Sequence, residues 1–501
     1  MAAKTVCSNY CLFIVYITQI CTFLLLSFTM TSLNPAAPVV QAFINQTFED
    51  RYQTRIGDTT LMVLITSVQS MLLVGSLIGA LSAQFVVSYF SRRGSLIFTH
   101  VISILSCILM GPVAVYFKTY ESIIVGRFLC GFARGVGFTA APLLISETTT
   151  HRTLGQHLSL SGIVVPLGYA LGNGVGHPSV LGSETGWPYL VCVPILFSLV
   201  YLASVFWIPQ TPGWLLKHKT SEEEALKLLK RLRKSDPNAI ASEFNALYKE
   251  IEMDQNIREA TIWEMLKTPK YRQQLICTIL VMGSMQTTGI SAVALYSNHI
   301  FHTAGVKGEN ATYASIGMHL ITFVVTFFFS QTIRKIGTKM LLVTGLGICA
   351  CSLVCLVIFA ALQDLSDLLP YFSIATLIIY TTSVMGGPGI AFVALSSQLT
   401  TQTTRPTALY LSAATYWMTG AIVSFVFPFS SAAIGEYAFL PFVAVTVLQI
   451  IFASRKVPST RRKSIVEIQE KLHRKSSKLP SNGSSGAIRS LMLDDSSRED
   501  A

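Results

Sequence analysis

The sequence predicts an all-α membrane protein: twelve transmembrane helices in two pseudo-symmetric six-helix halves, with short cytoplasmic helices between the halves. Three observations lead there. Of the 501 residues, 51% are hydrophobic and only 13% are charged, against roughly 25% charged in a soluble protein. About twelve stretches reach the ~20 apolar residues that cross a bilayer, consistent with a mean hydropathy of +0.53. One long polar segment, 209–271, separates six of these stretches from the other six.

The spans fall near 9–31, 61–90, 95–116, 120–146, 156–175 and 188–208, then near 272–302, 310–332, 339–362, 368–397, 404–429 and 435–454. The first reads as a span rather than a signal peptide: its apolar run exceeds an h-region, and no small-residue cleavage site follows it. Residues 1–208 therefore form an N-terminal bundle and 272–456 a C-terminal bundle. The linker carries "TSEEEALKLLKRLRK", where Ser221 and Glu224 predict a capping box and Ala225, Leu226, Leu228, Leu229 and Leu232 an apolar face. A second short helix is expected over "SEFNALYKEIEM". From 457 the chain is rich in Ser, Lys and Arg and reads as a disordered basic cytoplasmic tail. Its "RRKS" is weighed as a kinase site against a plain solvated tail.

Charge orients the bundle. Of the 37 Lys and Arg, about 31 fall in segments that share one side under this topology. Arg51, Arg55, Lys118 and Lys307 lie on the other side, and Arg127 and Arg134 lie within the fourth span. The positive-inside bias places both termini and the linker in the cytoplasm. The net charge of +11 is thus topology rather than a nucleic-acid surface. The sequons at Asn45 and Asn310 both land outside, where glycosylation is expected, with Asn45 in the longer loop. None of the ten Cys lies in an outward loop, and no spacing suggests a metal or a disulfide framework. No nucleotide motif is present, so the expected partners are a small-molecule solute and membrane lipid, without nucleic acid, nucleotide or cofactor.

The halves repeat each other weakly. "SYFSRRGSL" follows the second span and "QTIRKIGTKML" the eighth; "SETTTHR" follows the fourth and "SSQLTTQTTRP" the tenth; "IPQTPGWLL" follows the sixth and "KVPSTRRKS" the twelfth. Two parallel six-helix halves are the layout of the major facilitator superfamily, with the solute site near the midplane between them. The motifs go further. "MQTTGISAVALYS", "GGPGIAFVALSSQLTTQTTRPTA", "GRFLCGFARGVGFTAAPLLISE", "IPQTPGWLL" and "NQTFEDRY" resemble the sugar porter family, and within it the animal facilitative glucose transporters, over residues 40–470. The resemblance implies a uniporter that moves a hexose or related polyol by alternating access, not an enzyme.

What the resemblance implies for residues is specific. Its helix-seven glutamines become Met285 and Gln286, its asparagine Ser291, and its helix-eight asparagine falls near Thr322. Its helix-ten tryptophan becomes Val393, and a glutamate before G-P-G becomes Met385. Trp417 is kept, behind Tyr416 in place of asparagine. The helix-five glutamine is replaced by Leu160 or Gly162. A hexose needs a hydrogen-bonding partner for each hydroxyl it dehydrates and an aromatic face for its C–H side. Gln286, Ser291, Tyr296, Thr322 and Trp417 are the expected set, with Thr287 and Thr288 weighed chiefly as helix-packing residues. Gly283, Gly289 and the run Gly386 to Gly389 should soften helices seven and ten, with Gly387, Pro388 and Gly389 the expected helix hinge, because proline removes a backbone bond.

A second set lies at the cytoplasmic ends. Arg92, Arg93, Glu147 and Arg152 in one half face Arg334, Lys335, Gln398 and Arg405 in the other. The resemblance implies that such groups hold the halves together while the site faces outward. Gln398, Gln210, Gly213 and Thr338 replace charged family residues, which predicts a weaker lock and a bias towards the inward-open form. No Asp or Glu lies in the interior of any span, Glu121 and Glu147 sitting at helix ends, and His100 and His319 read as packing residues, so proton coupling is not expected.

Arg134 stands apart. A mid-span charge costs ~2.5–3.5 kcal/mol by insertion scales, and no membrane acid pairs with it. Arg127, Gly131 and Phe138 share its helical face. Two alternatives to hexose uniport follow: transport of an organic anion with Arg134 as counter-charge, and a solute sensor of transporter fold that moves nothing.

Overall fold

The structure, a computed structural model, describes residues 6–217, 222–234, 237–256, 260–306, 308–400 and 403–458. Ser221 of the expected capping box and the tail from 459 lie outside the described residues, as does Lys307.

Ten helical stretches among the described residues are long and apolar enough to cross a membrane. Two are of double length, Asp58–Tyr116 with 59 residues and Thr407–Lys456 with 50. A crossing takes ~20 residues, so each of these holds two spans, and twelve result. The break in the first is Ser91, at φ 67 and ψ 174 inside an otherwise helical run. Positive φ is uncommon for a residue with a side chain, and the turn is held in place. The Ser95 hydroxyl donates to the Ser91 carbonyl at 2.6 Å, and the Ser91 hydroxyl donates to Gln210 Oε1 at 2.8 Å. The second break is Gly435, at φ 57, which opens a 3-10 turn over Gly435–Phe439.

The first half packs by small residues. In lipid no hydrophobic force draws helices together, so backbones must approach closely for dispersion to count. Gly131 of the fourth span, Tyr120–Thr148, lies so close to the second span that a Cβ there would sit 2.0 Å from the Leu72 carbonyl oxygen. At Gly135 the corresponding distance to the Ser76 carbonyl is 2.3 Å. Both obstacles are backbone, which cannot rotate away. Gly131→Leu should therefore push the two spans apart at a cost of about 1–3 kcal/mol or more. Thermal unfolding in detergent reads this out, and an unchanged midpoint would refute the packing argument.

Arg127 fixes the same helices by hydrogen bonding. It is 1% exposed. Its Nε donates to the Val68 carbonyl at 3.0 Å, Nη1 to the Thr29 carbonyl at 2.6 Å, and Nη2 to Gln69 Oε1 at 2.5 Å. One guanidinium thus ties the first, second and fourth spans.

The linker contains helices Glu222–Leu232, Pro237–Asn256 and Ile262–Lys267. The second is longer than the apolar pattern suggested. The last is capped by Thr261 and Glu264 in a reciprocal box. The first docks against the chain's start: the Ser8 amide donates to the Leu232 carbonyl at 3.0 Å, and the Lys234 amide to the Val6 carbonyl at 2.8 Å. Directly after the first span a helix, Ala37–Tyr52, forms where the sequence offered only loop. It carries Asn45, which is half-buried, whereas Asn310 is exposed at the start of its helix. Large apolar side chains such as Phe85, Phe206 and Phe328 line the outside of the bundle, as lipid contact requires.

Candidate functional site

Two spans of the second half are interrupted midway, and the interruptions frame the site. The seventh span runs as Pro269–Thr287 and Ile290–Thr303, joined through Gly289 at φ 91. A side chain at Gly289 would also meet the Phe442 ring at 2.9 Å. The tenth span runs as Leu369–Gly386 and Pro388–Leu399, with Gly387 at φ −95 and ψ −94 between them. Pro388 supplies no N–H at a helix start, where none is needed. Gly387 packs on Gly345 of the ninth span so closely that a Cβ would lie 2.7 Å from the Gly345 Cα. The expected hinge residues Gly387, Pro388 and Gly389 therefore sit at an observed break. Gly283 lies inside continuous helix.

Gln286 sits one turn before the break in the seventh span and is 2% exposed. Its Oε1 accepts from the Ser291 hydroxyl at 2.5 Å, so the two flank the break and meet across it. Gly420 of the eleventh span leaves room for this amide, since a Cβ there would be 3.1 Å from it. One turn earlier on the eleventh span, Tyr416 lies beside the same amide and donates to the Met285 sulfur at 3.8 Å.

An aromatic cluster adjoins this polar pair and spans both halves. Phe138 of the fourth span stacks on Tyr416 with centroids 6.1 Å apart and on Phe392 of the tenth at 6.5 Å. Its ring meets Trp417 edge-on at 5.3 Å. The Arg134 guanidinium, one turn from Phe138, lies 5.3 Å from the Trp417 ring centre. The structure thus gathers Gln286, Ser291, Trp417 and Arg134 at one interface.

It does not bring Tyr296 and Thr322 to that interface as free ligands. The Tyr296 hydroxyl donates to the Ser424 carbonyl at 3.1 Å, tying the seventh span to the eleventh. The Thr322 hydroxyl donates to the Met318 carbonyl at 2.8 Å and lies 3.1 Å from the hydroxyl of Thr381 on the tenth span. Both groups are spent on packing within the second half. Thr287 and Thr288 likewise bond back to their own helix.

The two ends of the bundle differ. At the end opposite the linker, contacts cross between the halves. The Asn34 amide lies 2.5 Å from the Ser297 hydroxyl. Turned so that its oxygen accepts there, its nitrogen donates to the Leu295 carbonyl at 3.3 Å. His177 is buried, and its ring lies 5.0 Å from Tyr313 of the eighth span. Sequence reasoning missed Asn34, although a polar residue directly after an apolar span was visible in "TSLNP".

At the linker end, Arg92 Nε donates to Glu147 at 2.7 Å, and the Thr211 hydroxyl bonds to the same carboxylate. Arg93 donates to the Val205 carbonyl at 3.0 Å. These contacts stay within the first half and its exit into the linker. The side chains of Arg152, Arg334, Lys335, Gln398, Arg405 and Val393 lie outside the described part of the structure.

The family model for "Sugar (and other) transporter" matches residues 14–472. The chain belongs to that family. Among curated members it is 29% identical over 443 residues to solute carrier family 2, facilitated glucose transporter member 5 of Rattus norvegicus, covering 88% of each chain. It is likewise 29% identical over 448 residues to member 9 of Mus musculus, covering 89% of this chain and 82% of that one. Among solved structures it resembles the proton:xylose symporter XylE bound to 6-bromo-6-deoxy-D-glucose, with TM-score 0.74 and 18% identity over 93% of this chain and 99% of that one. The inward-open form of XylE from E. coli matches with TM-score 0.71 at 18% identity, over 91% and 99%. At such identity these structures establish the fold, two six-helix bundles of the major facilitator type. As a sugar transporter family member the chain is a multi-pass membrane transporter and not an enzyme.

Proposed function

We propose that the chain is a uniporter that carries a hexose or related polyol across the membrane by alternating access. The observation that carries this reading is the Gln286–Ser291 pair, set beside the Phe138, Phe392, Tyr416 and Trp417 rings between the halves. A neutral amide and a hydroxyl both give and take hydrogen bonds, as sugar hydroxyls require, and flat rings cover a pyranose's C–H face. The named activity of the facilitated glucose transporters at 29% identity supports the same substrate class. Among the described residues the carboxylates of the spans, such as Glu121 and Glu147, sit at helix ends, and none lies mid-span to carry a coupling proton.

The reading places the linker and both termini in the cytoplasm, the Asn34 end outside, and the chain in the plasma membrane. Asn45 and Asn310 are then the glycan acceptors, Asn310 being the more accessible. The Asn34–Ser297 contact closes the outward end, which supports an inward-facing form. Gly387 to Gly389 would flex as the tenth span moves, and the charges around Glu147 would engage the second half when the inward end closes.

Uptake of labelled glucose and fructose into vesicles holding the purified full chain tests this. Saturable uptake, indifferent to a pH gradient and to voltage, is the expected result. Uptake that follows an imposed proton gradient would replace uniport by symport. No uptake of either sugar by folded protein would remove the hexose reading.

A further inference from the structure

Arg127 and Arg134 lie two turns apart on one face of the fourth span, and their surroundings differ. Arg127 has an acceptor for each of its three nitrogens. Arg134 is equally a buried guanidinium, 7% exposed, with its Nη1 donating to the Leu26 carbonyl. Its Nε has no acceptor among the described residues. The neighbouring Trp417, 1% exposed, has an indole N–H that likewise meets no acceptor among the described residues. Guanidinium and indole are donor-only groups. Two donor groups without acceptors among the described residues, one of them cationic, thus lie side by side where the halves meet, the guanidinium carbon 5.3 Å from the Trp417 ring centre. Buried donors left unpaired are costly, and a cation in a span is kept for a reason.

What fits two donors and one positive charge is an acceptor-only, negatively charged group. A carboxylate has two oxygens, no donor and one negative charge, and its bonds to a guanidinium are charge-assisted. The adjoining Phe138, Phe392 and Tyr416 rings suit a pyranose face, and Gln286 suits its hydroxyls. We propose that the Arg134–Trp417 donor pair takes the carboxylate of an acidic sugar, so that the site accepts hexuronates as well as neutral hexoses. This rests on the hexose reading above and extends its substrate class to sugar acids.

The test compares glucuronate with its neutral amide, glucuronamide, as competitors of labelled glucose on the reconstituted full chain. The two probes differ in charge and in one acceptor but share the ring. The wild type should bind the acid at least tenfold more tightly than the amide, and Arg134→Gln should collapse that ratio towards one. A merely structural role for Arg134 lowers both affinities together and leaves the ratio intact, which overturns the proposal. Should the variant fail to fold, the wild type decides alone: equal affinity for acid and amide overturns it. Labelled glucuronate entry should also be slowed by an inside-negative potential, because each cycle moves one negative charge; entry indifferent to voltage counts against the proposal. Glucose uptake without acid preference sinks this inference and leaves hexose transport standing. Glucuronate uptake without glucose uptake does the reverse.

Discussion

Arg127→Leu should lower the stability of the folded bundle by about 3 kcal/mol or more. Hydrogen bonds to a charged group contribute ~1.5–3 kcal/mol each net, and this side chain makes three, to three acceptors on two other spans. Leucine also leaves a void where the guanidinium lay, and the glycine-lined contact with the second span cannot collapse to fill it. Gln69 loses the partner of its Oε1 in a buried place. Arg127→Lys should recover only part of the loss, because one ammonium cannot reach three acceptors set in a fork. Thermal melts of detergent-purified protein, followed by size-exclusion recovery, provide the measurement. A leucine variant as stable as the parent would show that glycine packing alone holds these helices.

Gln286→Ala should weaken hexose binding by ~10–100-fold, since losing a buried partner for a sugar hydroxyl costs about 1–3 kcal/mol. The change also strips the Ser291 hydroxyl of its acceptor at the break in the seventh span. Thr322→Ala, by contrast, removes a hydroxyl already bonded to Met318 and to its threonine neighbours, and its effect on affinity should be much smaller. Equilibrium binding of labelled glucose separates them. Equal losses would mean that Thr322 leaves its packing partners to meet the sugar, or that Gln286 does not touch it.

The contrast between these two threads marks what the sequence made legible. Span number and placement followed from apolar length, because in lipid every backbone group must be satisfied inside a helix. The breaks at Gly289 and Gly387 were visible as glycine and proline in apolar runs. Positional likeness found Gln286, Ser291 and Trp417. It also drew in Tyr296 and Thr322, and no pattern along the chain could say that their hydroxyls meet the Ser424 carbonyl and Thr381. Those partners come from spans more than fifty residues away and depend on helix rotation. Phe392 escaped notice for a similar reason: a phenylalanine in an apolar span carries no mark until Phe138 is found facing it. Glu147 was singled out by its charge, but Thr211, which shares its carboxylate, was one polar residue among many in the linker's start.

The clasp of Asn34 on the seventh span contains no formal charge. Hydrogen bonds between membrane helices average about 0.6 kcal/mol, so the two that Asn34 makes with Ser297 and Leu295 contribute only about eightfold to keeping that end closed. A latch of that strength holds little by itself, and the packing of His177 on Tyr313 shares the closure. Salt has no purchase on it, and neither does pH. Breaking these two bonds should therefore be a frequent thermal event, and the pace of the cycle is left to the heavier repacking of the rings at that end and deeper in the bundle.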